Sequence, residues 1–149
     1  MLNLRDFIGE FRVLVSYPKN SVLLLARFTI AYGFTIPALM KIDNFENTSV
    51  WFAEIGIPFA TFTAYLVSAI EVAGIVLLVL GLFTRYISIL MACIMLGAIF
   101  FVHWQHGYSS AVNGMEIPFY YFIFLTVFAT FGAGRLSMDQ LLFKTGCYE

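Results

Sequence analysis

The chain has 149 residues, of which 61% are hydrophobic and only 11% are charged. So few polar residues cannot cover a soluble globule of this length, and the composition therefore indicates an integral membrane protein. The formal net charge of −1 offers no basic field for a nucleic acid. The two cysteines, Cys93 and Cys147, lie far apart in the sequence and form no redox or metal motif.

The N-terminal segment carries charges among apolar residues that recur at a helical spacing. This pattern predicts an amphipathic helix over about residues 2–16 that lies on the membrane surface, because the segment is too charged to cross a bilayer. An ordinary solvated helix is the alternative. Pro18 is expected to end this helix.

Four apolar stretches follow, and each predicts a membrane-spanning helix. They cover about residues 22–40, 59–80, 87–104 and 117–133. Residues 42–57, between the first two spans, are predicted to form a polar connection. Gly81 is placed to end the second span in a left-handed conformation before a very short turn, so the second and third spans are expected to be antiparallel neighbours. Ser137 and Gln140 form a capping box for a short helix over about residues 138–143.

Lysine and arginine residues fall mainly on one side of these spans. Six of them lie in the N-terminal segment, the second loop and the C-terminal segment: Arg5, Arg12, Lys19, Arg85, Arg135 and Lys144. The first and third loops contribute only Lys41. Because positively charged loops stay in the cytoplasm, both termini are predicted to be cytoplasmic. The sequence thus predicts an all-α fold in which residues 1–149 form one domain, a four-helix bundle in the membrane.

Two charged residues fall within the predicted spans. A charge at that depth costs roughly 2.5 to 3.5 kcal/mol on insertion scales, so each needs a partner. At the helical rise, Arg27 lies about 9 Å and Glu71 about 13 Å from the cytoplasmic side. We therefore predict an ion pair between Arg27 and Glu71, with either a structural role or a role for a ligand or proton. On the Glu71 face, Ala64, Ser68 and Gly74 leave room for a neighbouring helix.

A second polar group is predicted at the outer ends of the spans. Lys41 ends the first span, His103 ends the third and Glu116 begins the fourth, so the topology places all three at the periplasmic level. Interfacial snorkelling would explain each residue singly, whereas together they are candidates for binding a ligand. The residue types of His103, His106 and Glu116 would suit a metal ion, but their spacing matches no metal-ligand pattern. No catalytic residue is assigned.

Several of these residues, together with two short motifs, form a characteristic set when they are taken in order along the chain. They are Arg27, Gly33 and Lys41 in the first span, Glu71 and Gly74 in the second, residues 81–85 (Gly-Leu-Phe-Thr-Arg), His103, Glu116 and residues 132–139 (Gly-Ala-Gly-Arg-Leu-Ser-Met-Asp). This set resembles the DoxX family of small four-span bacterial membrane proteins. The resemblance covers about residues 27–139, and it implies a multi-pass protein of the bacterial cytoplasmic (inner) membrane.

The DoxX family resembles the small subunit of an archaeal thiosulfate:quinone oxidoreductase. The resemblance therefore implies an integral membrane subunit of a quinone-linked oxidoreductase system, in which Lys41, His103 and Glu116 bind a quinone head group or an oxyanion. Histidine and a carboxylate have titration ranges suited to passing protons.

The chain itself contains no cysteine pair, no haem-type histidine pair and no dinucleotide glycine motif. It is expected to carry no cofactor of its own and to act with other membrane or soluble redox subunits or as an oligomer. Whether the chain is catalytic stays open. Two alternatives also stay open: a non-enzymatic module that binds or transports a lipid or small molecule, and a structural accessory subunit of a larger membrane complex.

Overall fold

A computed structural model describes residues 19–143, and within them the chain folds into helices and connections without a β-strand. The α-helices are α1 (Lys19–Asp43), α2 (Phe45–Glu54), α3 (Ala60–Leu80), α4 (Thr84–Ala98), α5 (Glu116–Phe131) and α6 (Met138–Phe143). After α4 the chain continues as a π-helical segment, Ile99–His103, and a 3₁₀ turn, Trp104–His106. The surface helix predicted over residues 2–16 lies outside the described residues.

Three helices within residues 19–143 are long and apolar enough to cross a membrane: Lys19–Asp43, Ala60–Leu80 and Thr84–His106. The expectation of an all-α membrane bundle is confirmed to that extent. The fourth helix, α5, is also apolar but has 16 residues, which correspond to about 24 Å at the helical rise. It ends before the predicted position 133 because Gly132 has a φ of +76°, outside the helical region.

The core of the bundle is formed where α1 packs on α3, α3 on α4 and α4 on α5. Its largest buried apolar side chains come from these four helices: Ile30, Phe34, Leu78, Ile87, Met91, Met95, Leu125 and Phe128. Two glycines allow the helices to approach closely. Gly33 of α1 lies against the phenol ring of Tyr121 on α5, and Gly74 of α3 lies against Met91 on α4. A β-carbon at either glycine would overlap its neighbour, so these small residues set the spacing between the helices.

The turn between α3 and α4 is closed by the C-terminal segment. Gly81 ends α3 with a φ of +68°, in the left-handed conformation that its position in the sequence predicts. The Asp139 carboxylate accepts the N–H groups of Phe83 and Thr84 at 2.8 and 3.2 Å, and the Asp139 N–H donates to the Gly81 carbonyl at 3.0 Å. Residues 132–139 therefore lie across this end of the bundle, which we call the turn end.

Part of the predicted polar connection, α2, is helical and lies at the opposite end of the bundle, which we call the loop end. Phe45 and Phe52 are seven residues apart and therefore share one helical face. Phe52 is buried, and the Phe45 ring packs on Tyr65 of α3 with 3.9 Å between ring centroids. The sequence predicts a polar connection over residues 42–57 without assigning a helix to it, and these two aromatic side chains give its helical part an apolar face that packs on α3.

Candidate functional site

A buried ion pair joins α1 to α3. The Lys41 Nζ donates to both carboxylate oxygens of Glu71, at 2.7 Å to Oε1 and 2.6 Å to Oε2. Glu71 is only 2% exposed, whereas the Lys41 side chain is 20% exposed. The predicted pairing of Arg27 with Glu71 is therefore wrong. Glu71 instead binds Lys41, which lies in the last turn of α1, the helix that also contains Arg27.

Arg27 binds backbone carbonyls at the turn end instead, through its two terminal nitrogens, whereas its buried Nε has no hydrogen-bond partner within residues 19–143. Its guanidinium is 1% exposed and donates to the carbonyls of Leu78, at 3.4 Å, and Leu136. Leu78 lies in the last turn of α3, where carbonyls lack helical partners and the helix dipole attracts a cation. Asp139 adds a Coulombic attraction. Glu71 lies seven residues before Leu78, or about 10 Å along α3 at the helical rise, which places it away from the guanidinium.

The buried face of α3 continues on both sides of Glu71. Ala64, Ser68 and Gly74, the three residues predicted to form a packing face, are all buried there. Ser68 is one helical turn from Glu71, and its hydroxyl has no hydrogen-bond partner within residues 19–143. A buried polar group without a partner costs free energy, and such a group in a native protein calls for an explanation.

A lateral groove of about 850 Å³ runs along the flank of α3 next to this ion pair. Ser68 is among its lining residues, and most of the others are apolar side chains of α3, such as Val72 and Val76. Ile42 and Phe45 close it at the junction of α1 and α2, directly after Lys41 in the chain. We call this cavity the α3 groove. Its lining is mostly apolar, and Val72 and Val76 are exposed on the side of the bundle.

His103 and Glu116 do not join Lys41 in a common site within the described part of the chain; both hold the loop at residues 107–115. His103 Nδ1 lies 2.7 Å from the Asn113 carbonyl, so this nitrogen carries the proton that it donates. Glu116 Oε2 accepts the Ser110 N–H at 3.0 Å, and Oε1 accepts the Tyr120 hydroxyl at 3.2 Å. The bond from Ser110, followed by that from Tyr120, lowers the pKa of Glu116, which lies just before the predicted apolar span.

The chemistry available at the ion pair is that of a hydrogen-bond donor set. An ammonium group has three N–H donors, and Glu71 takes two of those of Lys41. Ser68 lines the α3 groove, and its hydroxyl is buried without a hydrogen-bond partner within residues 19–143. Within residues 19–143, no three His, Cys, Asp or Glu side chains are placed to share a metal ion.

The sequence profile of the DoxX family matches residues 22–104, more than half of the chain. The chain belongs to the DoxX family. The expected resemblance is thereby confirmed. The matched region contains α1 from residue 22 onward and all of α2 to α4, and therefore the Lys41–Glu71 pair, Ser68 and the α3 groove. Glu116 lies beyond it.

Relatives of this DoxX-family chain occur in several bacteria. A Bacillus subtilis protein named "Putative oxidoreductase CatD" is 33% identical over 123 residues, which are 81% of this chain and 87% of that protein. The Escherichia coli inner membrane protein YphA is 29% identical over 124 residues, 80% of this chain and 89% of that protein. An uncharacterised Haemophilus influenzae protein is 32% identical over 130 residues, 82% and 83% of the two chains. No solved structure matches the chain.

Proposed function

We propose that this DoxX-family membrane protein is the membrane subunit of a quinone-linked oxidoreductase system and binds a quinone in the α3 groove. The observation that carries the proposal is the buried Ser68 hydroxyl, which has no partner within residues 19–143. Ser68 lines an apolar groove and is one helical turn from Glu71 of the buried Lys41–Glu71 pair. Ligand pockets are typically apolar with a few converging polar groups. A membrane quinone fits such a pocket, since it combines a ring that carries two carbonyl oxygens with an apolar tail.

The residues of the site would have distinct roles. The Ser68 hydroxyl and the third N–H of Lys41 would donate hydrogen bonds to a carbonyl oxygen of the ring. Glu71 orients the ammonium group and keeps its charge paired in a low-dielectric region, where such interactions are stronger than in water. The pair also places a proton donor and a proton acceptor beside the ring, as proton transfer to a reduced quinone requires.

The electrons would come from a partner subunit. Reduction of a quinone to a quinol takes up two electrons and two protons, and the sequence contains no cysteine pair or dinucleotide motif that would bind a redox centre. The name of the Bacillus subtilis relative, an oxidoreductase, supports a redox system of this kind. This division assigns quinone binding and proton exchange to the chain and electron supply to its partner.

The proposal includes an orientation in the bacterial inner membrane. α5 would complete four spans, with the turn end in the cytoplasm and the loop end outside. Lys19, Arg85 and Arg135 lie at the turn end, whereas the acidic residues Asp43, Glu46 and Glu54 lie at the loop end, which agrees with the positive-inside rule. The name of the Escherichia coli relative supports the inner membrane. The α3 groove would then run from Tyr65 near the outer end of α3 to Leu77 near its cytoplasmic end.

The test is quinone binding by the purified protein in lipid nanodiscs, measured by native mass spectrometry with added ubiquinone or menaquinone. Ser68→Ala removes the proposed donor and should weaken binding by about 2- to 10-fold, the effect of one hydrogen bond. Ser88→Ala is the matched control, because the Ser88 hydroxyl on α4 is also buried and unpaired within residues 19–143 but does not line the α3 groove. It should leave quinone binding unchanged.

Two outcomes would overturn the proposal. Equal quinone binding by Ser68→Ala and the wild type would remove the α3 groove as the site. A wild-type protein that retains a phospholipid or another small molecule but never a quinone would favour the non-enzymatic binding module instead.

A further inference from the structure

Three exposed cationic residues surround one short segment at the turn end. The Lys19 Nζ lies 5.8 Å from the centroid of the Phe131 ring. The Arg85 guanidinium lies against Gly132, where a β-carbon would come within 3.2 Å of Arg85 Nε. Arg135 follows three residues later and is also exposed. Lys19 and Arg85 therefore flank two consecutive residues at the end of α5.

Neither Lys19 nor Arg85 forms an ion pair within residues 19–143. Asp139 is the acidic residue of that range at the turn end, and its carboxylate already accepts the N–H groups of Phe83 and Thr84. The remaining acidic residues of the range lie at the loop end or in the middle of α3. Beside Phe131 and Gly132, Lys19 and Arg85 thus bring two positive charges that no acidic side chain within residues 19–143 pairs with.

The C-terminus of α5 explains only part of this arrangement. The negative end of a helix dipole attracts cations, which accounts for the position of Lys19 and Arg85 beside it. However, neither side chain donates a hydrogen bond to a carbonyl there within the described residues. Exposed aromatic residues adjoin both cations: Phe131, whose ring faces Lys19, is 62% exposed, and Tyr86, which follows Arg85 in the chain, is 71% exposed. Cations that border an exposed apolar flank match the boundary between lipid head groups and acyl chains.

We infer that Lys19 and Arg85 form a head-group site for an anionic phospholipid, with Arg135 at its rim. The planar guanidinium of Arg85 can donate two parallel hydrogen bonds to a phosphate, and the Lys19 ammonium adds a second positive charge. The acyl chains would lie along the exposed flank formed by Phe131 and Tyr86. This site is at the end of the bundle opposite Lys41, so it is independent of quinone binding in the α3 groove.

The test uses nanodiscs that contain phosphatidylglycerol and uncharged phosphatidylcholine in equal amounts, with the lipids retained by the protein counted by native mass spectrometry. The wild type should retain phosphatidylglycerol preferentially. Arg85→Gln should lower that preference about fivefold, the effect of one cation near an anionic membrane surface, and Lys19→Gln/Arg85→Gln should lower it further. The charge-conserving Lys19→Arg/Arg85→Lys should keep most of it.

Two results would overturn the inference. One is a wild-type protein that retains both lipids equally. The other is an unchanged phosphatidylglycerol preference in Arg85→Gln and in the double glutamine variant. Both positions are exposed, so the variants should fold, and thermal unfolding in detergent checks this before lipids are compared.

Discussion

Lys41 Nζ binds both carboxylate oxygens of Glu71 and so joins the last turn of α1 to the middle of α3. The two charges depend on each other, because Glu71 is buried and has no other hydrogen-bond partner within residues 19–143. A buried ion pair adds little net stability over a well-packed neutral pair, yet removing one partner leaves an uncompensated charge. Removing one partner should therefore lower the free energy of unfolding strongly, whereas replacing both charged residues should change it little.

Lys41→Ala should lower the free energy of unfolding by about 3 to 5 kcal/mol, because it leaves the Glu71 carboxylate unpaired. Lys41→Met/Glu71→Gln removes both charges with little change in volume and should recover most of that loss. Unfolding in mixed detergent micelles of increasing dodecyl sulfate content would compare the variants. A double variant as unstable as Lys41→Ala would show that the ion pair is not the cause.

Gly33→Ala should destabilise the bundle by about 1 to 3 kcal/mol, since the new methyl group would overlap the phenol of Tyr121. Tyr121→Phe shortens that side chain and should recover part of the loss when combined with Gly33→Ala, which a double-mutant cycle of unfolding free energies would measure. Gly97→Ala is the matched control. Gly97 is also helical but has open space around its α-carbon, so Gly97→Ala should raise the free energy of unfolding by up to about 1 kcal/mol. Equal effects at the two glycines would contradict the close contact.

The loop at residues 107–115 should detach from Glu116 at acidic pH. Hydrogen bonds from Ser110 and Tyr120 lower the pKa of Glu116 from its ordinary 4.5. A lowered pKa means that the attachment is complete above pH 4.5 and is lost as the pH falls through the lower value. The Ser110 amide chemical shift in an NMR titration should therefore change with a midpoint below 4.5. Glu116→Gln should abolish this transition, and a wild-type midpoint above 4.5 would contradict the assignment.

The sequence identifies the charged residues within the predicted spans but not how they pair. Arg27 and Lys41 are fourteen residues apart, which returns them to within about 40° of one face of α1, and both meet α3. Which residue of α3 each one meets depends on the axial offset between the two helices, and that offset follows from tertiary packing. With the observed offset, Arg27 lies beside Leu78 and Lys41 binds Glu71.

Lys41, His103 and Glu116 do not form the predicted common site, for a related reason. Topology places His103 and Glu116 at the same end as Lys41, but residues at one level of a bundle face different directions. His103 ends a π-helical segment, in which each turn contains more residues than an α-helical turn, so its direction does not follow from a spacing of 3.6. The helical spacing of Phe45 and Phe52, by contrast, was present in the sequence and would have revealed α2.

The bond between Arg27 and the Leu136 carbonyl joins residues that are 109 positions apart. At a synthesis rate of roughly 5 to 20 residues per second, Leu136 leaves the ribosome about 5 to 20 s after Arg27. During that interval α1 must be held with its guanidinium solvated by water, by lipid phosphates or by the insertion machinery, because its final acceptor does not yet exist. The connection between α5 and α6, which contains Leu136, therefore completes the burial of the Arg27 charge on α1.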